Sequence, residues 1–184
     1  MKTQTFKLST TKSEIAWIGR KVTGAHNGTI AVKQGSLSFT ADRLTGGQFT
    51  IDTTSIKILD LTDPAANAQF AGHLASDDFF SSDKFPTAGF EITSTERKTS
   101  TVYDIIGNLT IKGITHPICF EADIKFNEQS VRASGNIVIN RVLFDMKFRS
   151  GNFFQNLGDS LIYDDFDLNV NITAEPVVAE LAAN

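Results

Sequence analysis

Between residues 102 and 126 the chain reads VYDIIGNLTIKGITHPICFEADIKF, and its apolar side chains fall on alternate positions. Tyr103, Ile105, Leu109 and Ile111 share one parity, with Gly107 among them. Ile118, Phe120, Ala122, Ile124 and Phe126 share the other without a miss. Period-two alternation puts such side chains on one face of a strand. Two arms of this kind, with Lys112-Gly113-Ile114-Thr115-His116 between them, make an antiparallel hairpin with one dry and one wet face. Pro117 has no amide to donate, so it must start a strand or sit where no amide is needed. The dry face demands an apolar cover, and that demand constrains everything else.

The same pattern recurs along the chain. Residues 13–22 read as a strand with Ile15 and Trp17 on one face, and Ala16, Ile18 and Val22 on the other. Apolar residues on both sides suggest that this strand is covered on both faces. His26-Asn27-Gly28 is a hairpin turn signal. The partner strand over 29–40 switches parity near Gly35, between Ile30/Val32 and Leu37/Phe39, which predicts a bulge. Gly46-Gly47 reads as a break before a strand carrying Phe49 and Ile51. Further strands follow at Phe90 and Ile92, at the hairpin, and over 131–141 with Ala133, Gly135, Ile137 and Ile139 in step. Residues 142–149 add Phe144, Met146 and Phe148. A loop over 151–158 then leads to a final strand, where Phe166, Leu168, Val170 and Ile172 alternate with Asp165, Asp167, Asn169 and Asn171. The alanine-rich tail over 177–184 reads as a frayed turn or short helix.

One segment breaks the pattern. Asp63-Pro64 is an N-cap followed by proline at the first helical position. Ala66, Phe70 and Leu74 repeat at helical spacing behind it, with His73 beside the stripe. Ser76-Asp77-Asp78 supplies a second cap before Phe79-Phe80. Insertions of this length between strands commonly cover a binding site.

About eight antiparallel strands with one apolar face must stack on a second sheet or close on themselves. Closure leaves an interior that side chains fill or that holds one small ligand. Fifteen Phe against two Tyr and one Trp suit an interior with few polar partners to offer. A net charge of −4 without a basic stripe argues against nucleic acid. No apolar run approaches a membrane span, and residues 1–15 hold no apolar run long enough for a signal peptide. The expected location is the cytoplasm as the sequence stands, or the periplasm if a leader has been removed. Cys119, the only cysteine, falls on the wet parity beside Glu121 and Asp123, a poor place for a reactive thiol. No catalytic fingerprint is present, and His26 and His116 lie far apart, so a metal site is not expected. The acids of Asp164-Asp165-x-Asp167 read as a wet strand face rather than a calcium loop.

Four blocks resemble one family in the right order. They are His73-Leu74-x-Ser76-x-Asp78-Phe79-Phe80, Phe85-Pro86-x-x-x-Phe90 with Ser94-Thr95, Gly107-x-Leu109-Thr110-Ile111-x-Gly113-x-Thr115-x-Pro117, and Arg141-x-x-Phe144-x-Met146-x-Phe148. With Trp17 they resemble the YceI-like, polyisoprenoid-binding family over nearly the whole chain. The resemblance implies an all-β fold: an antiparallel lipocalin-like barrel of about eight strands with one short helical insertion. It implies a single domain over 1–184, its core over about 8–174 and a tail over 175–184. Three departures stand out. Phe70-Ala71 occupies the place of a usual Arg-Asp, Asn140-Arg141 that of Asp-Arg, and Asp145 that of a glycine.

Such a barrel implies a binding protein and no enzyme, without cofactor. It would hold a long apolar lipid: a polyisoprenoid, an isoprenoid quinone or a fatty-acid-like molecule, with a homodimer as a reasonable assembly. The residues expected against that ligand are Trp17, Phe39, Phe49, Ile51, Phe70, His73, Leu74, Phe79, Phe90, Leu109, Ile111, Phe120, Ile124, Ile137, Arg141, Phe148 and Leu168. Arg141, Lys147 and Arg149 are the candidate head-group cations, with a structural role as the competing reading for each. Two other classes stay open on the residues alone. One is a small enzyme acting on such a lipid, with His73 and Asp77 or Asp78 as acid and base. The other is a filled-core β module with a protein partner.

Overall fold

The computed structural model describes residues 2–177; the tail expected over 178–184 lies outside them. The described residues form nine antiparallel strands and one α-helix. In chain order these are β1 (Thr3–Leu8), β2 (Glu14–Lys21), β3 (Gly24–Thr40), β4 (Arg43–Ile58), α1 (Pro64–Ala75), β5 (Thr87–Arg97), β6 (Val102–Ile111), β7 (Ile114–Asn127), β8 (Ser130–Asn140) and β9 (Ile162–Pro176).

The nine strands make eight staves of a closed barrel, because β1 and β2 share one. Both lie between β3 and β9. β1 pairs with Ser36–Thr40 and with Ala174–Pro176, and β2 pairs with Gly24–Ile30 and with Ile162–Asn171. A single 3₁₀ turn at Thr10–Lys12 joins them. Ser9 and Ser13 hold the joint to Thr173, whose carbonyl accepts from the Ser9 amide at 2.8 Å and whose amide donates to Ser13 Oγ at 3.1 Å. The remaining order is β9-β8-β7-β6-β5-β4-β3, which closes the ring.

The hairpin is tighter than its sequence suggested. Its turn is only Lys112-Gly113, both at positive φ (54° and 72°), the geometry that matches strand twist. His116 therefore lies inside β7, opposite Leu109. The β2–β3 turn also falls elsewhere than expected, at Val22-Thr23, so His26-Asn27-Gly28 is a piece of β3. The β3–β4 turn is Ala41-Asp42, and β4 runs straight through Gly46-Gly47. The predicted bulge in β3 falls between Val32 and Gln34. Ile18 on the outer face of β2 is 37% exposed, and Val22, in the turn after it, is 47% exposed, so that strand is covered on one face only. Residues 141–149 leave the sheet altogether: Arg141–Phe144 form a 3₁₀ turn ended by Asp145 in the left-handed region, φ 60°. A glycine takes that conformation freely, which gives a physical reason for the family's usual residue there.

The barrel closes at one end on aromatic rings. Phe39 stacks on Phe126 with centroids 4.6 Å apart, and Phe6 meets both edge-on at 5.7 and 5.5 Å. At the other end the helix and the 141–149 segment lie over the opening. The Asp63 carboxylate accepts from the Ala66 amide at 2.8 Å, the expected N-cap. Asn67 donates to the carbonyls of Ile58 and Leu61, both at 3.0 Å, and so ties the helix to the end of β4.

The wall is unevenly paired. β6 is laddered to β7 over ten residue pairs and β8 to β9 over ten, but β7 pairs with β8 only from Asp123/Ser134 to Asn127/Ser130. Above that point the facing edges of β7 and β8 part. Pro117, without an amide to donate, lies in this unpaired stretch. Phe144, from the turn after β8, packs against His116 there, ring centroids 5.4 Å apart.

Candidate functional site

Inward parity along each strand builds a hollow interior. An inner cavity of about 120 Å³ is bounded by Phe49, Phe90, Phe120, Ile105, Ile124, Ile137 and Val170, among others. A larger cavity of about 400 Å³ lies on the helix side, bounded by Trp17, Phe70, Leu74, Phe79, Ile111, Phe148 and Phe166. Ile15, Ile51, Leu109, Ile139 and Leu168 line both. The two are chambers of one tunnel, with those five side chains at its waist. The inner chamber is apolar; every charged group of the lining belongs to the outer one.

Sixteen of the seventeen residues expected against a ligand line this tunnel. Phe39 does not. It is fully buried in the aromatic plug, one inward position beyond Leu37, where its ring packs on Phe6 and Phe126 below the inner chamber.

Two inward glycines let aromatic rings lie flat against the wall. A Cβ on Gly28 would stand 2.6 Å from the Trp17 indole and would collide with the Lys57 carbonyl oxygen. One on Gly107 would enter the Phe90 ring. Trp17 in turn donates from Nε1 to the Thr29 carbonyl at 3.3 Å and meets Phe70 edge-on at 6.5 Å.

Polar groups gather at the mouth. His73 Nε2 lies 3.0 Å from Asp78, and its ring packs edge-on against Phe79 and Phe148. His26 Nδ1 lies 2.7 Å from Asp60, and its ring sits 4.7 Å from Phe70. Burial raises the Asp60 pKa, but the Asn27 amide and His26 outweigh it and leave the carboxyl below its ordinary value. Asp77 is also lowered, first by Lys84 and then by Ser81. Asp60 therefore ties the insertion to β3, and Asp77 braces the insertion internally.

Arg141 is a structural cation. It is 3% exposed, and its guanidinium donates to the carbonyls of Met146, Ile162 and Tyr163. Burial pushes its pKa down, opposed by the Asp164 carboxylate 3.7 Å away. It clamps the 141–149 segment to the start of β9. Lys147 pairs with Asp145 at 2.9 Å and does not reach the tunnel. Arg149 does line the mouth, and its guanidinium lies 5.0 Å over the Phe148 ring.

Sequence reasoning missed Arg20, Lys21, His26 and Tyr163 at the mouth. Lys21 was findable, since it continues the inward row of Ile15, Trp17 and Gly19. His26 was hidden by reading Asn27-Gly28 as a turn. Asp165 also lines the mouth, whereas Asp167 pairs outside with Arg20 at 2.6 Å.

A family model described as the YceI-like domain matches residues 6–174. The chain belongs to the YceI-like family. Among curated relatives, a UPF0312 protein of Photorhabdus laumondii is 36% identical over 88 residues, 47% of this chain and 43% of that one. Protein YceI of Shigella flexneri is 37% identical over 75 residues, 41% of this chain and 35% of that one. The matched segments thus span less than half the length of either relative. Among solved structures, BcnA of Burkholderia cenocepacia superposes with a TM-score of 0.71 at 20% identity, covering 91% of this chain and 99% of that one. A polyisoprenoid-binding domain from Saccharophagus degradans gives 0.66 at 12% identity, covering 94% and 98%. At those identities the likeness establishes the YceI-like barrel and nothing finer.

In this YceI-like chain the departures from the family pattern have local explanations. Asn140 Oδ1 accepts from the Val142 amide at 3.0 Å and so caps the turn as an aspartate would. Phe70, in place of a charged residue, makes the helix side of the mouth apolar.

Proposed function

We propose that this YceI-like protein holds one long apolar lipid, of isoprenoid or fatty-acyl type, with its tail in the inner chamber and its head at the mouth. The observation that carries this reading is the polarity gradient of the tunnel. An uncharged, aromatic and aliphatic inner chamber opens through an apolar waist into a wider one with charge only at its rim. A cavity volume of about 400 Å³ on the helix side suits a lipid-sized ligand. At roughly 0.8 kcal/mol per buried CH₂, a tail of about ten to fifteen carbons contributes about 8–12 kcal/mol before association costs. No charge–charge contact is needed for micromolar binding at that scale. The name of the Saccharophagus degradans neighbour points the same way.

Carrier or sequestering work fits better than catalysis. The His26–Asp60 pair joins wall to insertion and the His73–Asp78 pair braces the insertion itself, and the rings of both histidines are packed on phenylalanines. The test is native mass spectrometry of the purified protein followed by organic extraction. A discrete added mass that is released as a lipid supports the reading. A homogeneous apo mass, unshifted by polyprenyl lipid, quinone or fatty acid, refutes it.

A further inference from the structure

The mouth carries an apolar surface that the tunnel does not use. Phe153 and Phe154 are 51% and 47% exposed, and Tyr163 and Val22 beside them are 48% and 47% exposed. The four belong to one rim. The Val22 amide donates to the Leu161 carbonyl, the Ile162 amide donates to the Arg149 carbonyl, and Tyr163 lines the mouth itself.

The loop that presents the two phenylalanines is firmly built. Both of their amides donate to the Ser150 carbonyl, at 3.1 and 3.0 Å, and the fully buried Ser150 donates from its own amide to Lys147 at 2.9 Å. Asn152 donates to Asp164 at 2.6 Å. The backbone is thus satisfied internally while adjacent aromatic rings are held out in water. Exposed aromatic pairs on a fixed loop mark a contact surface.

Charge identifies the partner. The Lys147 ammonium lies 5.0 Å over the Phe153 ring, and Arg149 is stacked on Phe148. Lys21 and Arg149 take part in no ion pair among the described residues. Phenylalanine and tyrosine interleaved with lysine and arginine suit the bilayer interface, where rings reach the acyl boundary and cations meet phosphates. Asp159 and Asp165 share this rim, so anionic lipid supplies only part of the attraction and the rings supply the rest. We propose that the 147–163 rim, with Val22 and Lys21, docks this protein on a phospholipid bilayer with its tunnel mouth facing the membrane. The docking does not depend on what fills the tunnel, but it would give the proposed carrier a direct path for loading.

Co-sedimentation of the full chain with vesicles tests this, using phosphatidylcholine alone and phosphatidylcholine mixed with phosphatidylglycerol. Wild type is expected in the pellet, more so with phosphatidylglycerol. The variant Phe153→Ser/Phe154→Ser, with unchanged thermal midpoint, should partition about tenfold less on both. Lys21→Gln with Arg149→Gln should lose about fivefold per cation, and only on the anionic vesicles. Wild type left in the supernatant with both compositions overturns the proposal, as does a phenylalanine variant that pellets like wild type. Light scattering adds a further outcome: a dimer that the serine variant converts to monomer would make the rim a self-contact and also overturn it. A Leu109→Trp protein that pellets normally but contains no lipid supports docking independently. Wild type that pellets yet never carries lipid would sink the carrier reading alone.

Discussion

Residue 28 and Trp17 face one another across β2 and β3 with no room between them, since a Cβ at 28 would stand 2.6 Å from the indole and strike the Lys57 carbonyl. Gly28→Ala is therefore expected to cost about 1–3 kcal/mol by overpacking. Trp17 is the only tryptophan, so its emission reports the displacement directly. Urea denaturation should show the loss, with a shifted native spectrum. An unshifted spectrum at wild-type stability would mean that the ring is not seated on this glycine.

Arg141 serves the fold through three carbonyl oxygens contributed by Met146, Ile162 and Tyr163. Arg141→Ala should cost about 2–4 kcal/mol, because it leaves buried acceptors without donors. Lysine should not restore it, lacking the planar fork. Chemical denaturation measures both variants. Full stability in the lysine variant would contradict the clamp and return Arg141 to the list of head-group contacts.

The unpaired edges of β7 and β8 have a dynamic consequence. β6 is laddered along both sides, from Gly89/Thr110 to Arg97/Tyr103 and from Val102/Asp123 to Ile111/Ile114. Amides facing the seam lack such partners and exchange through smaller openings. Hydrogen exchange should thus be faster in peptides from Ile114–Ala122 and Gly135–Asn140 than in Val102–Ile111. Equal protection would mean that the seam is closed in solution.

Acid should loosen the mouth. Asp60 and Asp77 have folded pKa values below the ordinary 3.8. Their contribution is complete above that value and is lost as pH falls through the lowered one. Asp145, lowered chiefly by Lys147, adds a third such acid at this end, against Asp42 with Arg97 at the closed end. Limited pepsin digestion below about pH 3.8 should therefore nick residues 59–84 before the barrel strands. First cleavage within β5–β7 would count against this assignment.

The barrel was largely legible in the alternation, and the helix in Asp63-Pro64 with its apolar stripe. Three things were not. β1 offers only Phe6 and Leu8 on its dry face, too short a run to stand out from a terminus. Asn27-Gly28 looks like a turn because asparagine and glycine tolerate positive φ, yet Gly28 is there to make room for the ring of Trp17, eleven residues earlier in the chain, a demand no local pattern carries. Whether Arg141 is a head-group cation or a structural one stays open in the sequence, because its three partners are backbone oxygens, which have no sequence signature. The tunnel lining followed from parity, whereas the mouth depended on where the strands end, and strand ends are where alternation says least.

The waist gives the most direct test of the central claim. Leu109 lines both chambers, so Leu109→Trp should fill the passage between them. Native mass spectrometry of the two proteins, offered the same polyprenyl lipid, quinone and fatty acid, should show a lipid adduct on wild type and none on a folded Leu109→Trp. Equal adducts on both, or none on wild type, would contradict a lipid-holding tunnel.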